Sequence, residues 1–138
     1  MVFSFSLPVE CKSCPRPRHG RHGSYMPSDY TKWKRSTAAL IRSGWKLDPL
    51  DQPLTLSVDM VFARPKRLQR KKDPDGRLPR CSKADTDNYL KSVMDAIETA
   101  GVVRNDSLFW NVSARQWYGR KDENPNITIS ISTGAQHG

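Results

Sequence analysis

The most regular pattern in the chain lies at positions 54–62, where Leu54, Leu56, Val58, Met60 and Phe62 alternate with Thr55, Ser57, Asp59 and Val61. A two-residue period sends successive side chains to opposite faces, so this segment predicts a strand with one face on the core. A shorter alternation, Val2, Phe3, Ser4, Phe5, Ser6 and Leu7, predicts a half-buried strand at the start. Ile127, Ile129 and Ile131, interleaved with Thr128, Ser130 and Ser132, predict another at the end. Two segments carry the helical period instead. From about Ser28 to Ser43, Tyr30, Trp33, Leu40 and Ile41 form a rough apolar stripe, with Ser28 as the expected N-cap and Gly44 as the stop. From about Asp87 to Ala100, Leu90, Val93, Met94 and Ile97 share one face, and Gly101 ends the pattern. A further strand is expected over Leu108 to Trp117, after a turn at Arg104, Asn105 and Asp106. The order strand, helix, strand, helix, strand, strand predicts an α/β or α+β fold, a small mixed sheet with about two helices packed on it.

The 138 residues suit a single domain spanning 1–138. No apolar run approaches the roughly 18 residues of a membrane span, so no membrane partner is expected. The first ten residues lack the basic start and long apolar run of a secretory signal. Three cysteines are few and odd in number, which argues against a disulfide scaffold and points to a reducing, cytoplasmic setting.

Charge changes the picture more. The 23 Lys and Arg against 14 Asp and Glu give a net charge of +9, which suits an anionic partner such as nucleic acid, anionic lipid or an acidic protein. The bases are clustered. Between residues 64 and 83 stand Arg64, Lys66, Arg67, Arg70, Lys71, Lys72, Arg77, Arg80 and Lys83, opposed only by Asp73 and Asp75. Pro65, Pro74, Gly76 and Pro79 interrupt this stretch, and it holds few apolar residues. It is expected to be a mobile loop, either a solvated connector or an arm that binds phosphates. The segment from Cys11 to Pro27, also expected to be loop, carries Arg16, Arg18 and Arg21 as a second basic patch. Cys11, Cys14, His19 and His22 in the same stretch invite a zinc reading, although the Cys-to-His gap is short and the Pro-Arg run reads better as a basic loop.

The acids are concentrated too. Asp85, Asp87, Asp95, Glu98 and Asp106 follow one another around the second helix. Asp85 and Asp87, two apart at its start, repel each other unless a cation lies between them. A hard divalent ion such as Mg²⁺ suits such oxygen donors, and a chain returning along the helix makes Asp106 a feasible third ligand. With about 100° per residue, Lys91 lies about 40° and Glu98 about 20° from Asp87, beside the apolar stripe. Lys91 would then stand next to the same carboxylates, where it could offset charge on a phosphate. The plainer readings are helix capping by the aspartates and an ordinary pair four residues apart.

The run Asp85-Thr86-Asp87-Asn88-Tyr89-Leu90-Lys91, followed by Asp95-Ala96-Ile97, Ala100-Gly101 and Asn105-Asp106, resembles the RusA family of Holliday junction resolvases. The family pattern has an acid at the position of Asn105. The resemblance implies a RusA-like homodimer and Mg²⁺-dependent hydrolysis of phosphodiesters, with paired symmetric nicks in branched DNA, the four-way junction. It implies metal-binding roles for Asp85, Asp87 and Asp106 and a catalytic role for Lys91. Asp95 is expected to pair with Lys91 on the helix surface. Two alternatives stay open: a non-catalytic DNA-binding protein, and a nuclease acting on flaps or forks. Trp110, Trp117 and Tyr118 are candidates for stacking on unpaired bases, or for the core or a dimer interface.

Overall fold

A computed structural model describes residues 1–81 and 86–133. The strands are β1 (Val2–Leu7), β2 (Arg18–Gly20), β3 (Gly23–Tyr25), β4 (Leu54–Phe62), β5 (Leu78–Pro79), β6 (Phe109–Tyr118) and β7 (Asn126–Thr133). The helices are α1 (Ser28–Ser43) and α2 (Thr86–Thr99). Five strands form one mixed sheet in the order β1-β7-β4-β6-β5, and β2 pairs with β3 in a separate hairpin. Among the described strands β4 and β6 are the one pair of neighbours that run parallel, so the chain between them has to cross over the sheet, and α2 lies in that crossover.

Register explains why the sheet has one dry face. Phe5 pairs with Ile129, Ile129 with Val58 and Val58 with Ala114. Leu7, Ile127 and Met60 form the next row. These apolar rows meet Ala38 and Ile41 of α1 and Val93, Ala96 and Ile97 of α2 in a single core. The opposite face carries the intervening residues, including a row of Ser4, Ser130, Ser57 and Ser113. There the Arg115 guanidinium and the Trp117 indole donate to Asp59 at 2.7 Å and 2.9 Å and hold its carboxyl below the usual range, Arg115 having the larger effect.

Three expectations are corrected. Helix α1 begins at Ser28 itself, so Ser28 is not its N-cap; Pro27 precedes it, and the Pro27 carbonyl accepts from the Thr31 amide at 3.2 Å. The Cys11–Pro27 segment contains the β2–β3 hairpin, turned through Gly23 at φ 106°. Both hairpin strands are fully exposed, so no apolar alternation marks them.

The third correction concerns the basic segment. Arg64 is buried, with only 5% of its surface exposed, and so is not a DNA contact. Its guanidinium donates to the carbonyls of Gly119 at 2.9 Å, Leu68 at 3.2 Å, Pro74 at 2.6 Å and Gly76. A charged group can be buried when its donors are met in this way. The chain from Lys66 to Gly76 is thereby wrapped around one side chain and carries a 3₁₀ turn at Lys66–Leu68. Further ties come from Arg77 to Glu123 and from Lys121 to Asp75. Replacing Arg64 with methionine, similar in length but unable to donate, should lower the unfolding free energy by about 2 kcal/mol or more, as expected for lost charge-assisted bonds. It should also speed tryptic cleavage between 66 and 77. Unchanged protease resistance would rule out the guanidinium as the organiser of this segment.

Candidate active site

Helix α2 stops through a defined capping arrangement. The Gly101 amide donates to Glu98 O at 3.0 Å and the Val102 amide to Ile97 O at 3.4 Å, with Gly101 at φ 81°. This left-handed exit is open to glycine at little cost. It turns the chain back through the buried Val102 and Val103 to a short 3₁₀ turn at Asp106–Leu108. Two bonds fix that turn. The Asp106 amide donates to Glu98 Oε2 at 2.8 Å, and the Ser107 amide donates to Asn105 Oδ1 at 2.8 Å. Asn105 thus acts as a cap, a task its amide oxygen performs as well as a carboxylate would.

As a result, Asp106 comes to the flank of α2. Asp87, Asn88, Leu90, Lys91, Met94 and Asp106 line one depression of about 300 Å³. Lys91 and Asp106 also border a larger cleft of about 510 Å³, walled by Cys14, Pro15, Arg16, Pro17 and Met26 from the chain before α1 and by Asn88 and Asp95. The Cys14 amide donates to Asn88 O at 3.0 Å, which anchors that wall on the helix. Asp87, Lys91 and Asp106 thus border one depression. Asp85, the fourth site residue of the sequence analysis, and the basic residue Lys83 lie outside the described residues. Among the described residues no three His, Cys, Asp or Glu side chains gather as a metal centre.

Asp95 departs from its expected pairing with Lys91. It accepts from the Tyr30 hydroxyl at 2.8 Å and lies 3.6 Å from Lys34 Nζ, both on α1. Burial, followed by the nearby Asp95, raises the Tyr30 phenol pKa.

The zinc quartet does not assemble either. Cys11 faces the core, with its Sγ 3.7 Å from Ser92 Oγ and 3.7 Å from Tyr89 O. His19 Nδ1 is 3.2 Å from Ser24 Oγ across the hairpin. Burial pushes the Cys11 thiol up to about 12.

Of the basic candidates, Arg16, Arg18, Arg21, Lys66, Arg67, Arg70, Lys71 and Lys72 are exposed. Arg70 is held by Asp73, its Nε 3.4 Å from Oδ2. Arg80 is half-buried, its guanidinium 4.0 Å from the centroid of the Phe62 ring. Trp110 is 58% exposed and Val112 41%, whereas Phe109 is buried. The cleft wall at Cys14 and Met26 was missed in the sequence, because only long-range packing brings those residues to α2.

The model of the endodeoxyribonuclease RusA family matches residues 8–132. The chain belongs to the RusA family. Its similarity includes the crossover junction endodeoxyribonuclease RusA of Aquifex aeolicus (strain VF5), 29% identical over 97 residues. That match covers 70% of this chain and spans 63% of the relative's length. The family match takes in α2, its glycine exit and the Asp106 turn, all within residues 8–132.

Thiol chemistry checks the geometry around the cleft. With a pKa near 12, about one Cys11 in ten thousand is thiolate at pH 8, and the thiolate is the reactive form. Dithionitrobenzoate at pH 8 should therefore label two thiols per folded chain, Cys14 and Cys81, and reach Cys11 only on unfolding. Rapid labelling of all three would place Cys11 outside the core.

Proposed function

We propose that this RusA family protein is a divalent-metal-dependent endonuclease that nicks branched DNA, resolving four-way junctions as a two-fold dimer in DNA recombination and repair. The observation that carries the reading is the meeting of Asp87 and Lys91, from the first turns of α2, with Asp106, from the turn beyond it, in one depression. The name of the Aquifex relative supplies the substrate class.

The donor set fits a hard cation. Asp87 and Asp106 offer carboxylate oxygens, no thiol or imidazole lines the depression, and its one sulfur, the soft thioether of Met94, is a poor ligand for a hard ion. Together with Asp85 they would hold Mg²⁺. When bound, such an ion supplies Lewis-acid activation of water and neutralisation of phosphate charge. Lys91 lies at the same depression, within reach of a phosphodiester seated there, and its ammonium would counter the charge that builds on the phosphate oxygens. The exposed Arg16 borders the adjoining cleft and would bind a neighbouring phosphate. Arg18, Arg21, Lys66, Arg67, Lys71 and Lys72 would extend the backbone track away from the acids, and Arg70 would join them when its exposed pair with Asp73 opens. A four-way junction has two-fold symmetry, so paired nicks require two such sites, which a two-fold dimer provides.

On a synthetic four-way junction with Mg²⁺, the chain should make paired symmetric nicks that stop with chelator. Asp87→Asn, Asp106→Asn and Lys91→Ala should each lower the nicking rate on the order of 100-fold, the scale of losing one charge-stabilising group, while junction binding persists. Junctions left intact at every metal concentration, yet bound equally with and without metal, would leave a non-catalytic DNA-binding protein. Preferential cutting of flaps or forks would change the substrate.

A salt titration tests the cation track separately. The double substitution Lys71→Ala and Lys72→Ala should flatten the slope of log K against log salt by about 1.8, or about 0.9 per lost phosphate contact. Arg64→Met should leave that slope unchanged. A slope indifferent to Lys71 and Lys72 would remove these residues from the interface.

A further inference from the structure

Gln116 lies on the helix-covered face of β6, level with Met60 of β4. Its neighbours on that face, Ala114 and Tyr118, pack against the apolar core. A half-buried amide among such residues requires partners, and Gln116 has two from distant parts of the chain. Its Nε2 donates to Thr86 Oγ1 at 2.7 Å. Its Oε1 accepts from Arg80 Nη1. The partners dictate the orientation of the amide, because a guanidinium has no acceptor and must face the oxygen. Arg80 is held in turn. Its backbone amide donates to Gln116 O at 3.0 Å, and its guanidinium stacks on the rings of Phe62 and Tyr89.

Thr86 opens α2 and precedes Asp87, and Arg80 lies five positions before Asp85. One side chain on the sheet therefore holds both Arg80 and the first residue of α2, next to Asp87. We propose that Gln116 is a positioning residue, which fixes the start of α2, and with it the Asp87 carboxylate, through Thr86 before a divalent cation arrives. The proposal rests on the metal-dependent reading of the site. A first helical residue tied to the sheet limits the movement of the carboxylate that follows it in the chain. Partners of this kind behind a metal ligand typically change affinity by about 10–100-fold.

The test measures metal binding directly. Mn²⁺ binding followed by electron paramagnetic resonance should weaken about tenfold in Gln116→Met, which keeps the bulk and loses the amide, and in Thr86→Val, which keeps the shape and loses the hydroxyl. Thr86→Ser should restore it. The Mg²⁺ concentration for half-maximal nicking should rise in parallel, while junction binding in chelator and the melting temperature stay at the wild-type values. Wild-type Mn²⁺ affinity in both variants, or a loss that follows a lowered melting temperature, would overturn the proposal. A wild-type chain that binds no Mn²⁺ would overturn the metal reading and the role of Gln116 with it. A wild-type chain that binds Mn²⁺ without cutting branched DNA would overturn the substrate alone, and the variants' Mn²⁺ affinities would still decide on Gln116.

Discussion

The chain leaving α2 must double back along the helix, and the left-handed residue Gly101 makes that possible. Without this exit, the turn that carries Asp106 would continue away from a helix about 20 Å long. With it, Glu98 catches the Asp106 amide and the returning turn lies beside the helix face that carries Lys91. Side chains on a helix lean towards its N-terminus, which shortens the reach from Glu98 and from Lys91 alike. The parallel β4–β6 pair imposes the crossover in the first place, because two parallel neighbours cannot be joined by a tight turn. The candidate site is thus a consequence of sheet topology and one backbone conformation, to which the acidic side chains are added.

Within the basic segment, arginine and lysine take different tasks. Arg64, Arg77 and Arg80 each use the guanidinium fork to bind carbonyls, a carboxylate or an aromatic face. The bonds of Arg64 are shielded from water and each is worth more than a surface ion pair, whose usual contribution is about 0–1 kcal/mol. Lys66, Lys71 and Lys72 remain at the surface, where an ammonium would meet a phosphate as a point charge. The net charge of the protein therefore overstates the charge available to an anionic partner, because the scaffold absorbs part of it.

The sequence is legible where a two- or 3.6-residue period persists. Residues 54–62 and the isoleucines of β7 mark their strands, and Leu90, Val93 and Ile97 mark α2 to within a residue or two of its ends. The β2–β3 hairpin and β5 escape because neither buries a face and β5 has only two residues, one of them proline. Arg64 escapes because composition counts cations without seeing carbonyls; the stretch from Leu68 to Gly76 and the turn at Gly119 have to fold before its guanidinium has anything to bind. At the site, the spacing of Asp87 and Lys91 is a local helical fact and legible for that reason. The capture of Asp95 by Tyr30 joins residues 65 positions apart and depends on how α1 packs on α2.

That capture bears on Lys91. A lysine four residues before an aspartate on the same helix has a natural partner, and such a pair would place a carboxylate against the ammonium before any phosphate arrived. Asp95 turns to α1 instead. The Tyr30 hydroxyl is buried and needs an acceptor, Asp95 supplies one, and Lys34 balances its charge. Lys91 is left at the border of the depression with Asp87 and Asp106 and of the larger cleft beside it. Its ammonium would then face a phosphodiester seated there, and a hydrogen bond between two helices would contribute to the electrostatics of that region.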